Sequence, residues 1–222
     1  MKRREFVVGS TAALALAGTS PLVSAQGGFQ EGKHFVRLST PVAVSAPAGK
    51  IEVVEFFWYG CPHCNAFEPA LEAWIKKLPA DVAFRRVHVG FRPNFEPQQR
   101  FYATLEALGL VEQIHRKVFY AIHHQGAKLD KPEALIEFAV QNGADRAKFT
   151  EMYNSFGVQS KVRQGKLLSE AYKIDGVPAL GIHGRYYTSP SLAGGDNTPE
   201  TEGQNRALTL TDQLLARSRK GA

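Results

Sequence analysis

Cysteine is scarce in this chain, with two among 222 residues, and the two sit three positions apart at Cys61 and Cys64. That scarcity excludes a structural disulfide framework, which needs cysteines spread along the chain. It also excludes a four-thiolate zinc site, which needs two more ligands of that kind. Although the formal charge is +6, there is no dense Lys/Arg run of the sort that binds nucleic acid. Arg85-Arg86 reads as part of a strand, and Arg217 to Lys220 as a solvated helix end. There is no Gly-rich phosphate loop and no internal repeat. The apolar stretch Phe6–Ala17 is too short and too rich in small residues for a membrane anchor. His123-His124 invites a metal, but neighbours on a helix point about a hundred degrees apart and seldom meet one ion, so the pair reads as a surface helix end and no metal site is expected.

What is present is a pair of thiols one helical turn apart, Cys61-Pro62-His63-Cys64, which can close into a disulfide and open again. Ile51–Trp58 is a short, mostly apolar run of β-branched and aromatic residues that predicts a buried strand, broken by Tyr59-Gly60. From Pro62 to Leu78 apolar residues recur at helical spacing, with Phe67 and Trp74 on one core-facing side. Pro62 suits the first helical position, and Pro69 is expected to kink the helix. Cys61 therefore stands where a strand ends and a helix begins. Unpaired N–H groups and partial positive charge gather there and stabilise a thiolate, and His63 adds a donor or a positive charge. Thiols so placed titrate at about 3.5–7.5. A value of about 4 would stabilise the reduced form by about 4 kcal/mol at neutral pH, or about 90 mV for a two-electron couple. A stabilised dithiol makes its disulfide the stronger oxidant.

Phe56-Phe57-Trp58-Tyr59-Gly60-Cys61-Pro62-His63-Cys64 resembles the active site of the DsbA family of periplasmic thiol:disulfide oxidases. Gly176-Val177-Pro178-Ala179 resembles that family's cis-proline loop. The resemblance implies an α/β, thioredoxin-like fold with an inserted α-helical subdomain, here at about 95–172. The intervening sequence reads as helices at 97–108, 111–123, 132–142, 145–156 and 158–172, with Gly109 and Asp145 as caps. A strand is expected at Val82–Val89 and another at Arg185–Thr188. Ser189–Thr201 reads as a loop, followed by a C-terminal helix from about Glu202. By resemblance, Cys61 is the attacked cysteine and Cys64 its buried partner, with Pro62 and His63 between them. Val177 and cis-Pro178 face the pair and bind substrate backbone. Glu55, an acid in an apolar strand, would lie beneath the thiols and handle the proton of Cys64; the alternative is an edge position facing water. Arg86 stands where the family often carries a lysine paired to that acid. Arginine does not give up its proton, so here it would anchor Glu55 rather than relay.

The function implied is donation of the Cys61–Cys64 disulfide to reduced, newly exported proteins, assisting oxidative folding. Reoxidation would fall to a DsbB-like membrane quinone reductase. The enzyme would be a monomer with no prosthetic group beyond its redox-active disulfide. Residues 1–25 read as an export signal, with a charged Lys2-Arg3-Arg4 start and a small-residue cleavage site at Val23-Ser24-Ala25. The Sec and twin-arginine routes both remain open, and the destination is an oxidising periplasm. The mature domain is then 26–222, at about +4 once Lys2, Arg3, Arg4 and Glu5 are gone. Two other readings remain at this point: a reductase or isomerase with a less oxidising pair, and a binding protein or chaperone whose thiols are incidental.

Overall fold

The computed structural model describes residues 28–220; the export signal expected at 1–25 lies outside them. The chain runs through β1 (Val36–Arg37), β2 (Ile51–Phe57), α1 (Pro62–Ile75) and β3 (Val82–His88). Five helices follow: α2 (Glu96–Ala107), α3 (Val111–Gln125), α4 (Pro132–Gln141), α5 (Arg146–Asn154) and α6 (Phe156–Ala171). It closes with β4 (Ala179–Ile182), β5 (Tyr186–Thr188), α7 (Pro190–Gly194) and α8 (Glu200–Lys220). Among the described residues, no helix is long and apolar enough to cross a membrane.

All seven residues of β2 are buried, as its nearly unbroken apolar run requires of a central strand. The sheet order is β1-β5-β4-β2-β3. β2 and β3 run parallel, joined by α1 as a crossover, and Glu55 is directly opposite Arg86. On its other side β2 pairs antiparallel with β4, with Glu55 opposite Leu180. This interior position disposes of a water-facing edge for Glu55.

Three apolar clusters hold the elements together. One packs Phe35, Ile51, Val53, Phe67, Leu71, Leu180 and Ile182 against α8 through Leu208, Leu210 and Leu214. On the opposite sheet face, Val54, Phe56, Val87 and Tyr172 form a second. The third joins Phe57, Tyr59, Cys61 and Cys64 to Phe101, Leu105, Ile114, Val118, Phe119, Leu135 and Phe149 of the helical segment. Each large side chain buried in these clusters contributes about 1.5–3 kcal/mol. The third cluster places the two cysteines at the seam between sheet and helices.

Several boundaries differ from the expectation. β2 stops at Phe57 and α1 at Ile75. The region expected to be a loop at 189–201 contains α7, and α8 begins at Glu200. Its Ser, Gly and Pro content reads as a loop, yet Ser189-Pro190 is also a helix start. The Ser189 hydroxyl accepts the Leu192 N–H at 3.1 Å and Pro190 takes the first position.

Candidate active site

The redox motif is built from a turn and a helix start. The Cys61 N–H donates to the Trp58 carbonyl at 3.0 Å, closing a turn with Tyr59 and Gly60 at its centre. Cys61 is then the N-cap of α1 in extended conformation, with Pro62 in the first turn, and its carbonyl accepts the Asn65 N–H at 3.1 Å. Gly60 is required by a close approach: a Cβ there would lie 2.3 Å from the Trp58 indole. That indole stacks on Phe95 at 4.2 Å and donates to Gln98 Oε1 at 2.8 Å.

The two cysteines are free thiols with unequal environments. Cys61 is 7 % exposed and Cys64 fully buried. The Cys64 thiol donates to the Cys61 sulfur, and the Cys64 and His63 backbone N–H groups with the His63 charge add to it. Together they outweigh burial and pull Cys61 from 9.0 down to about 6. Burial pushes Cys64 well above the ordinary thiol range, reinforced by the hydrogen bond it gives to Cys61 and by the nearby Glu55 carboxylate. One sulfur is a stable leaving group, and the other holds its proton.

Val177 and Pro178 arrive on the loop leading into β4. The Val177–Pro178 peptide is cis, and the Cys61 thiol donates to the Val177 carbonyl at 3.4 Å. A cleft beside them is walled by His63, Gly176, Val177, Pro178, Leu192 and Glu200 among others. His63 is mostly exposed. Its Nδ1 lies 2.7 Å from Glu200 Oε1 at the start of α8, and that hydrogen bond raises the imidazole above its ordinary 6.5.

Beneath the thiols lies a buried polar cluster. Arg86 Nε donates to Glu55 Oε2 at 2.8 Å and its second nitrogen to Glu68 Oε1 at 2.5 Å. His115 Nε2 is 3.4 Å from the same Glu68 oxygen, and its Nδ1 is 2.9 Å from the Tyr59 hydroxyl. Among the described residues nothing hydrogen-bonds Glu55 Oε1, Glu68 Oε2 or His115 Nε2. Burial, reinforced by Glu68 and only partly offset by Arg86, pushes Glu55 up to about 8. Burial also opposes ionisation of Glu68, but His115, Arg86 and Arg116 hold it below its ordinary value. Burial alone would lower Arg86, yet the two carboxylates raise it. The cluster is therefore electrically balanced at neutral pH, with Arg86 facing an ionised Glu68 and a protonated Glu55.

The structure thus brings Cys61, Pro62, His63, Cys64, Val177 and Pro178 together, with Glu55 and Arg86 below. Glu68, His115 and Glu200 escaped sequence reasoning. Glu68 had a signal: it follows Cys64 by four and precedes Leu71 by three, so it shares their inward face. Glu200 had none, because its partner lies 137 residues away.

The DSBA-like thioredoxin domain family matches residues 52–204. The chain is 45% identical over 179 residues to the thiol:disulfide interchange protein DsbA of Burkholderia cepacia, covering 81% of this chain and 82% of that one. It is 41% identical over 212 residues to the protein of the same name from Pseudomonas aeruginosa, covering 96% of each. The crystal structure of Pseudomonas aeruginosa DsbA superposes with a TM-score of 0.80 at 41% identity, covering 87% of this chain and 96% of that one.

Proposed function

The chain belongs to the DsbA-like thioredoxin family, and from that premise we propose that it is a thiol:disulfide oxidase whose Cys61–Cys64 disulfide passes to reduced, newly exported proteins. The observation that carries this direction is the contrast between the two sulfurs, one drawn down to about 6 and the other pushed up by burial. A substrate thiolate attacks the exposed edge of Cys61, forming a mixed disulfide and breaking the Cys61–Cys64 bond. Cys64 leaves and takes a proton, for which the protonated Glu55 is the nearby buried acid. A second substrate thiolate then attacks the substrate sulfur of the mixed disulfide, and Cys61 departs as its stable thiolate. Two substrate thiols become one disulfide, two electrons rest on the enzyme as a thiolate and a thiol, and one proton reaches solvent.

His63 stabilises the departing thiolate, and Pro62 sets the first helical position. Val177 and Pro178 receive the extended substrate chain beside Cys61. Arg86 anchors Glu55 and, as an arginine, does not relay its proton. The working compartment is the periplasm, reached through a cleaved N-terminal signal. A DsbB-like membrane quinone reductase restores the disulfide, the working form is a monomer, and no further cofactor takes part. The test is stoichiometric oxidation of reduced, unfolded ribonuclease by the oxidised protein. The wild type should transfer its disulfide, Cys64→Ala with Cys61 activated as a mixed disulfide should accumulate the substrate adduct, and Cys61→Ser should do neither. Equal ribonuclease oxidation by Cys61→Ser would overturn the reading.

A further inference from the structure

Tyr59 stands two residues before Cys61 and is fully buried, and each of its three polar groups meets a different histidine. Its backbone N–H donates to His88 Nε2 at 3.4 Å. Its carbonyl accepts from His123 Nε2 at 2.8 Å, and its hydroxyl lies 2.9 Å from His115 Nδ1. The partners determine where the protons sit. A carbonyl only accepts, so His123 carries its proton on Nε2. His88 Nδ1 faces the Val89 carbonyl at 3.0 Å and is protonated there, which leaves Nε2 bare for the Tyr59 N–H. His115 Nε2 lies 3.4 Å from a Glu68 oxygen without a hydrogen bond between them, so the Tyr59 hydroxyl at Nδ1 is the ring's hydrogen-bond partner. Three of the chain's seven histidines thus converge on one residue. Each of the three imidazoles meets Tyr59 through a ring nitrogen.

The placement of Tyr59 says what the grip does. The Tyr59–Gly60 peptide is the central peptide of the turn that Cys61 N–H closes on Trp58. Rotating such a peptide interconverts turn types, and a glycine at the third position makes both forms accessible. Gly60 cannot be exchanged for a stiffer residue, because the Trp58 indole occupies the space of its Cβ. The turn therefore needs an external lock, and the His123 bond to the Tyr59 carbonyl supplies one from α3.

We propose that His123 is a positioning residue for the redox reaction: by holding the Tyr59 carbonyl it fixes the Trp58–Cys61 turn, so that the first N–H groups of α1 aim at the Cys61 sulfur. His88 and His115 hold the same residue at its other ends. The helical segment is thereby tied to the redox centre by a hydrogen bond as well as by packing. The inference goes beyond the oxidase reading and rests on it only for its readout.

The test compares three variants. His123→Phe keeps the ring and its stacking on Phe119 but removes the donor, while His123→Gln keeps a donor. His124→Ala changes the exposed neighbour, which stacks on Tyr120. For each, the Cys61 thiolate is titrated by its ultraviolet absorbance, and the equilibrium constant with glutathione is measured. His123→Phe should raise the titration midpoint and make the disulfide less oxidising by about threefold, which is about 14 mV. His123→Gln should recover most of that change, and His124→Ala should match the wild type. A His123→Phe protein with wild-type midpoint and equilibrium, changed only in melting temperature, would show that His123 merely packs. Ring ¹⁵N NMR of the unmodified protein decides the matter independently of variant folding: a His123 protonated on Nδ1 instead of Nε2 overturns the proposal. The wild-type equilibrium tests the oxidase reading, whereas the ratio of variant to wild type tests this one.

Discussion

The unequal titration of the two thiols should be visible as a break in the pH dependence of the redox potential. Reduction of the disulfide takes up two electrons and, where Cys61 is protonated, two protons; where Cys61 is ionised it takes up one. For a two-electron couple the potential then falls by about 59 mV per pH unit below the Cys61 midpoint and by about 30 mV above it. The midpoint lies at about 6, against 9.0 for an ordinary thiol. At pH 7 such a Cys61 is about 90% ionised where an ordinary thiol is about 1%. The reduced state then gains about tenfold, or about 1.4 kcal/mol, which is about 30 mV. Water at the open edge of the sulfur screens it, so this figure is a ceiling. It is about a third of the value expected for a thiol titrating near 4, because burial opposes the hydrogen bond from the Cys64 thiol, the helix terminus and His63. A depressed pKa sets the sign: the extra stability of the dithiol is fully present above about pH 9 and is lost as pH falls through about 6. Equilibration with glutathione at half-unit steps from pH 5 to 8.5 measures the slope, and His63→Ala should move the break upward. A single slope of about 59 mV per unit across pH 5–8 would refute the reasoning.

The buried cluster and its neighbours give three more expectations. Arg86→Met leaves Glu55 and Glu68 without the cation between them, and should cost about 3–5 kcal/mol in urea unfolding at pH 7; a loss below about 1 kcal/mol would mean the carboxylates find other partners. Gly60→Ala drives a methyl into the Trp58 indole and should destabilise by about 1–3 kcal/mol, with a loss of the Trp58–Phe95 stacking signature in near-ultraviolet circular dichroism; unchanged stability would show that the turn yields freely. Glu200→Gln should bring the His63 titration back down toward 6.5, since the hydrogen bond His63 gives to the Glu200 carboxylate, and that carboxylate's charge, raise it; NMR of the imidazole reads the shift, and an unmoved midpoint would exclude the contact in solution.

The sequence was most legible where chemistry and local structure depend on near neighbours. β2 announces itself by a mostly apolar run of β-branched and aromatic residues, and Cys61 by a proline just inside the helix it caps. The arrangement of Val177 and Pro178 came from resemblance, because nothing in a Val-Pro pair alone says that it will face a cysteine 116 residues away. Glu55 was legible as an acid in a buried strand, but its second neighbour Glu68 was not, although helical spacing from Cys64 points to it. His123 shows the limit most clearly. Adjacent to His124 at a helix end it reads as surface, yet the two rings diverge as helical geometry requires: His124 turns outward and His123 reaches the Tyr59 carbonyl. Helix α7 was hidden because Ser, Pro and Gly serve helix starts and loops alike.

The most direct test of the central claim is the equilibrium of the purified protein with glutathione buffers at pH 7, following the Cys61–Cys64 disulfide. A disulfide donor with a stable Cys61 thiolate has a potential well above that of thioredoxin, about −270 mV, and above that of the glutathione couple. A potential near that of thioredoxin would contradict the donor role and leave a reductase in its place.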